Sequence, residues 1–368
     1  MTTKTYKFRI YPTLNQKAVL TDWLHLSCEL YNAGLQERRD AWKINHLNIG
    51  YNEQNKQLTE IKEIRTELKD VNSHVLQDAL TRLDKSFKAF FRRVKSGQTA
   101  GFPRFKSVRR YDSFTIPNTR YSIKNNRIDI SRLGAVKINL DTTIEGKLKS
   151  TTVKREAGDK WFACITTEFE PARLAPTANA IGIDVGISCY ATLSNGEQIE
   201  NPRWYVSEQK KLAKLQRRVA RRKKGSRRRT KAVVLLAKHH KLIFNRRSHF
   251  QHELSRRIVN KYGAISVEDL SVAKMARQKG LSKQITDAAW AAFLDKLAYK
   301  AEWAGREFKR VEAANTSRAC VCGEKIIPAA RTKINSCPKC GLTATRGYVS
   351  ANLIKNKSAV KHTVQALT

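Results

Sequence analysis

The sequence predicts a multidomain α+β chain: a small β-barrel interrupted by a helical bundle, then an α/β domain carrying a cysteine ribbon. Three observations lead there. The hydrophobic period changes from helical to alternating after Gly97. Two apolar strands each end in an acid, Asp184 and Glu268. Two close cysteine pairs, Cys320/Cys322 and Cys337/Cys340, stand near the C-terminus.

Residues 5–11 (TYKFRIY) alternate and are rich in aromatic and β-branched types, which predicts a strand stopped by Pro12. Thr13 and Gln16 fit a capping box. Leu20, Leu24, Cys28, Tyr31 and Leu35 then form one helical face. A second stripe runs through Leu58, Ile61, Ile64 and Leu68. A third runs through Leu76, Leu80, Leu83, Phe87, Phe90 and Val94. These predict a bundle over 13–96. After it, Gly101–Lys106 (GFPRFK) is a turn that interleaves basic and aromatic residues, with Arg104 and Lys106 as candidate phosphate contacts. Five short strands follow, at 113–116, 127–130, 135–140, 150–154 and 161–168, and suggest the barrel. The opening strand is expected to join them, which makes the bundle an insertion.

Beyond a linker at 171–179, the runs 180–185 (AIGIDV) and 189–193 read as strands, and Asn195-Gly196 as a hairpin turn. Between Lys210 and His252 stand 17 Lys+Arg and no Asp or Glu. Apolar spacing on both sides of Gly225-Ser226 predicts a basic helical hairpin over 208–260. A charge run is ordinarily a solvated face, but so many like charges repel unless they meet polyanion. Lys223, Lys224, Arg227, Arg228 and Arg229 at its tip are the candidate contacts.

Charge narrows the partners. The chain has 71 Lys+Arg against 32 Asp+Glu, a net charge of +39. Solubility alone needs only a few surplus charges, whereas neutralised phosphates release counterions and drive binding. No segment is apolar for the ~18 residues a membrane span needs. The N-terminal residues lack the apolar run of a signal peptide. Neither membrane nor small-molecule substrate is expected, and the location expected is the cytoplasm, at the nucleoid.

Two constellations carry chemistry. Acids ending adjacent buried strands are how RNase H-like nucleases hold Mg²⁺, since hard cations want oxygen ligands and two ions polarise a scissile phosphate and activate water. A strand-ending acid is, taken alone, more often a cap or a surface charge. The four cysteines, each pair followed by a glycine, suit tetrahedral Zn²⁺ as a structural site. Free thiols are the alternative, and the first pair is a tight C-x-C.

YKFRIYPTLNQ, GFPRFK, GIDVG, SVEDLSVAKM, TDAAW, YKAEWAGREF and the cysteine ribbon stand in the order seen in TnpB proteins, which the chain resembles over nearly its whole length. TnpB proteins are insertion-sequence relatives of the compact type V CRISPR effectors. The resemblance implies a wedge barrel (1–12 and 97–170) with an inserted recognition bundle (13–96). It also implies a RuvC-like domain (180–314 and 345–368) and a zinc ribbon (315–344). It implies a guide RNA and a double-stranded DNA target beside a short adjacent motif, cut by three RuvC acids.

The third family acid falls at Gly347, and the 44 residues after Glu324 contain no Asp or Glu. Asp184 and Glu268 are thereby expected to be remnants of the triad, with Mg²⁺ weak or absent. The function expected is RNA-guided DNA binding without cleavage, acting as a transcriptional repressor. Two alternatives stay open: an active RNA-guided endonuclease, and a transposition regulator that binds nucleic acid without a guide.

Overall fold

The structure is a computed structural model. It describes residues 1–271, 275, 277, 280–312, 319–326 and 334–365, the last eight of these as backbone only. Part of the SVEDLSVAKM run (272–274) and part of the 315–344 segment lie outside the described residues. The chain divides into two compact units, Met1–Glu170 and Pro171–Thr368. Among the described residues no helix is long and apolar enough to cross a membrane.

In the first unit, β1 (Thr2–Tyr11) lies inside a seven-stranded antiparallel sheet of order β2-β6-β7-β1-β5-β4-β3. The other strands are β2 (Ser113–Pro117), β3 (Tyr121–Lys124), β4 (Arg127–Ile130), β5 (Gly134–Asn139), β6 (Lys147–Glu156) and β7 (Lys160–Phe169). The opening strand pairs with β7 from Thr2↔Phe169 to Ile10↔Trp161, so residues from the two ends of the unit meet along its length. Its alternation buries Tyr6, Phe8 and Ile10, as a half-buried strand requires.

Three helices are inserted between β1 and β2: α1 (Leu14–Asn45), α2 (Tyr51–Ile64) and α3 (Ser73–Lys95). Both arms of the Thr13/Gln16 capping box are formed. Leu20, Leu24, Cys28, Tyr31 and Leu35 are all buried, as their spacing predicts. Helices and sheet share one hydrophobic core: Trp23 meets Phe114 edge-on at 5.7 Å, and Asp78 of α3 accepts from the Thr115 amide at 2.8 Å.

Three expectations need correcting. The second stripe breaks at Ile64, which is exposed, and Leu68 is buried from a 3-10 turn instead. The third stripe leaves the core after Leu83, with Val94 exposed. The strand β3 was not foreseen, because Asn125-Asn126, both left-handed, make its hairpin turn to β4 without glycine.

The second unit has a five-stranded sheet of order β10-β9-β8-β11-β12, from β8 (Ala180–Val185), β9 (Cys189–Leu193), β10 (Gln198–Glu200), β11 (Ala264–Glu268) and β12 (Glu307–Val311). The first three are antiparallel neighbours; β8, β11 and β12 run parallel. Among the described residues its helices are α4 (Trp204–Ser207), α5 (Gln209–Ala220), α6 (Arg227–Lys261), α7 (Ser282–Ala288), α8 (Trp290–Ala304) and α9 (Arg346–Gln365). A two-stranded ribbon, β13 (Ile334–Ser336) and β14 (Thr343–Thr345), precedes α9. Trp290, Phe293 and Leu297 of α8 are buried in the core of this sheet.

Candidate nuclease centre and nucleic-acid interface

Asp184 and Glu268 are brought together by strand register. The strands β8 and β11 pair in parallel from Ala264↔Ala180 to Val267↔Ile183, and the next step sets Glu268 alongside Asp184. Burial first, and the neighbouring Glu268 second, hold the Asp184 carboxyl up at about 7 against the opposing charge of Arg346. Two half-buried carboxylates near enough to repel each other are a donor set that a divalent cation relieves.

The corner is closed by α9. A Cβ at Gly182 would stand 2.0 Å from the Ala351 carbonyl and 2.7 Å from the Lys355 amide, so glycine is what lets α9 lie on β8. Residues 347, 351 and 355 share one face of that helix. Gly347 accordingly faces the acid corner. A Cβ there would sit 3.4 Å from Asp184 Oδ2, but only 2.6 Å from Thr192 Oγ1 and 3.0 Å from Thr192 Cβ. Thr192 is the cross-strand partner of Asp184 and is buried. Position 347 therefore offers no ligand, and its glycine has a packing reason.

The four cysteines form a second site. Their sulfurs all lie within 4.8 Å of one another, with Cys320–Cys340 and Cys322–Cys337 at 3.6 Å. Four thiolates bound tetrahedrally at ~2.3 Å have S···S edges of about 3.8 Å, so the cluster is sized for zinc. Both pairs form knuckles: the Gly323 amide donates to Cys320 O and the Gly341 amide to Cys337 O, each at 3.0 Å. Both glycines are left-handed. The C-x-C pair thus closes its turn onto its glycine three residues on, and the C-x-x-C pair four residues on.

The basic hairpin is α5, a turn, and α6, anchored where Arg246 pairs with Glu208 at 3.0 Å. Lys223 and Lys224 lie in the turn and Arg227, Arg228 and Arg229 in the first helical turn of α6; all but the half-buried Arg229 are exposed. Ser226 caps that turn, accepting from the Arg229 amide at 3.1 Å. Three arginines at the positive end of a helix are unfavourable alone and become favourable when an anion binds there. Sequence reasoning missed the cleft beside them, lined by Lys214, Arg217, Arg218, Arg221 and Arg222. Their four- and three-residue spacing along α5 and just past its end was the available signal. In the first unit Arg104 and Lys106 are exposed; the Lys106 backbone is pinned by Asn32, at 2.7 and 2.9 Å.

Three family models match the chain: the IS605 OrfB model, described as probable transposase, over 163–279; the Cas12f1-like TNB domain over 290–354; and a helix-turn-helix domain of the OrfB group over 1–46. The last stretch folds here as β1 and the single helix α1. A Streptomyces pristinaespiralis protein is 33% identical over 312 residues, covering 83% of this chain and 76% of its own. InsQ of Escherichia coli (strain K12) is 29% identical over 340 residues, covering 87% and 83%. Both are named "Putative RNA-guided DNA endonuclease". The solved mini-RNA-guided endonuclease CRISPR-Cas phi3 shares the fold at a TM-score of 0.52 and 8% identity, over 96% of this chain and 92% of that one.

These relatives overturn the expectation that the chain is no enzyme and give no support to the repressor reading. The expectation rested on position 347 alone, whereas Gly347 packs against Thr192 and the other two acids stand on neighbouring strands. The chain belongs to the TnpB family, the OrfB proteins of IS605 type.

Proposed function

We propose that this chain is an RNA-guided DNA endonuclease whose cutting centre is the Asp184–Glu268 pair of a RuvC-like domain. The observation that carries the reading is the acid pair itself: two carboxylates from adjacent parallel strands in a corner closed by α9. Mg²⁺ bound there would polarise the scissile phosphate and activate the attacking water. Asp184 and Glu268 supply hard oxygen ligands, and burial strengthens their hold on a cation. One or two carboxylates plus substrate phosphates is an ordinary Mg²⁺ ligand set. With Gly347 giving none, metal retention leans on the DNA phosphates, which couples cutting to correct placement of the target. Arg346 favours an approaching phosphate beside Asp184.

Target sequence would be read by pairing to a guide RNA, with the protein holding backbone and shape. The hairpin cations Lys223, Lys224, Arg227, Arg228 and Arg229, with Arg104 and Lys106 of the wedge-like sheet, are assigned to phosphate contact with guide or target. The cysteine site is assigned structural zinc; elemental analysis is expected to find about one zinc per chain, lost in Cys337→Ala. The reading is tested by purifying the chain with the RNA it retains, sequencing that RNA, and incubating the complex with the matched duplex in Mg²⁺. Guide-dependent cleavage is expected. A complex that binds the matched duplex and leaves it whole would refute the reading.

A further inference from the structure

The hydrophobic stripe of α3 outruns the core that it packs against. Beyond Leu83 it presents Phe87, Phe90 and Phe91, and Phe102 from the following turn folds back on them. Phe102 meets Phe87 at 5.5 Å and Phe90 at 5.4 Å, both edge-on, and Phe90 meets Phe91 at 5.2 Å. Phe91 is nevertheless 55% exposed and Trp42, on the last turns of α1, 60%. Together these rings line a pocket of about 720 Å³, within the size range of ligand sites.

Charge surrounds the rings. Arg38, Arg39, Lys43 and Lys88 line the same pocket. Its lining acid, Asp84, is already engaged by Arg38 at 3.4 Å and Lys88 at 2.8 Å. Arg38 is the informative member. Its guanidinium is buried and lies 5.1 Å from the centroid of the Phe87 ring. Its Nε donates to Gln54 Oε1 at 2.8 Å, yet its Nη2 has no hydrogen-bond partner. A buried charged donor left unmatched is unfavourable, and Arg38, held by Gln54 and Asp84, sets positive potential beneath the rings.

We propose that this pocket seats unpaired bases of single-stranded nucleic acid, stacked on Trp42, Phe91 and Phe102, with the exposed Arg39 and Lys43 at its rim meeting the phosphates. Aromatic faces beside a cationic rim are the combination that single strands use. Paired bases already stack on their neighbours, which selects unpaired ones. A second copy of this chain would bring the same cations to the rim and be repelled. The inference rests on the nucleic-acid reading above but not on cleavage.

The test uses the full chain and short single-stranded RNA and DNA oligonucleotides containing 2-aminopurine, beside abasic strands of the same length and charge. Stacking quenches the 2-aminopurine on binding. Affinity is expected to fall roughly tenfold for the abasic strand, and as much for Trp42→Ala or Phe91→Ala with the parent strand. Both side chains are exposed, so the variants fold. Abasic strands that bind as tightly as the parent overturn the proposal. So do aromatic variants that change sedimentation without changing quenching, which would mark a protein-docking face. A chain that stacks bases but cuts nothing keeps this inference and loses the endonuclease reading; one that cuts without quenching does the reverse.

Discussion

In the acid corner a Cβ at Gly182 has no room beside Ala351, and one at Gly347 collides with Thr192; at the tip of the basic hairpin a Cβ on Gly225 meets nothing within 4 Å. The two regions belong to one folded unit and are specified differently. The corner depends on where a few atoms sit, to tenths of an ångström, because close packing transmits strain. The hairpin depends on a sum of charges. Single substitutions should therefore be severe in the corner and mild on the hairpin, where only collective changes tell.

The largest effect expected short of catalysis is collective. Changing Lys223, Lys224, Arg227, Arg228 and Arg229 together to Ala removes up to five phosphate contacts. The slope of log K against log salt for RNA should then flatten by about 4, with affinity falling by orders of magnitude at low salt. Each single change should alter affinity only a few-fold. An unchanged slope in the fivefold variant would mean that these residues face solvent and would break the comparison.

Packing changes in the corner come next. Gly182→Ala should destabilise by several kcal/mol, since both of its nearest contacts are backbone. Gly347→Ala should destabilise by about 1–2 kcal/mol, because the Thr192 hydroxyl can rotate. Thr192→Ala should recover part of that loss, so the double-mutant cycle gives a non-zero coupling in thermal melts. An acid at 347 meets the same obstacle. Gly347→Asp alone is expected to lower stability, and to add a third carboxylate only together with Thr192→Ala.

The smallest expected effect is on pH dependence. Asp184 has its carboxyl raised to about 7 against an unfolded value of ~3.9. Between those values the folded state binds the extra proton, so without divalent cation stability falls as pH rises from about 4 to 7. Asp184→Asn should flatten that decline and be more stable than wild type at pH 8, by about 2–4 kcal/mol, with little difference at pH 4. Equal melting curves for the two at pH 8 would show that the corner is not desolvated.

Much of this was legible because it is local. A capping box, an acid ending an apolar strand and cysteine pairs followed by glycine are short-range patterns, and each forms as read. What was not legible depends on long-range contact. Nothing near Gly347 in sequence names Thr192, so the close approach of the two could not be read. The stripe from Leu76 to Val94 is continuous in sequence, yet only part of it is covered, since the core ends near Leu83. The cations of α5 were counted in the charge run, but their convergence on one cleft is a property of helix geometry. The Asn-Asn turn at 125–126 is a local signal too, since asparagine tolerates the left-handed conformation both residues adopt.

The central claim is that Asp184 and Glu268 form the cutting centre, and single-turnover cleavage of a matched duplex in Mg²⁺ tests it most directly, with duplex binding measured on the same samples. Asp184→Ala and Glu268→Ala should each slow cutting by about 10³-fold or more while duplex affinity changes little, because pairing and phosphate contacts supply binding. Cleavage at the wild-type rate in either variant would contradict the assignment and move the catalytic centre elsewhere in the chain.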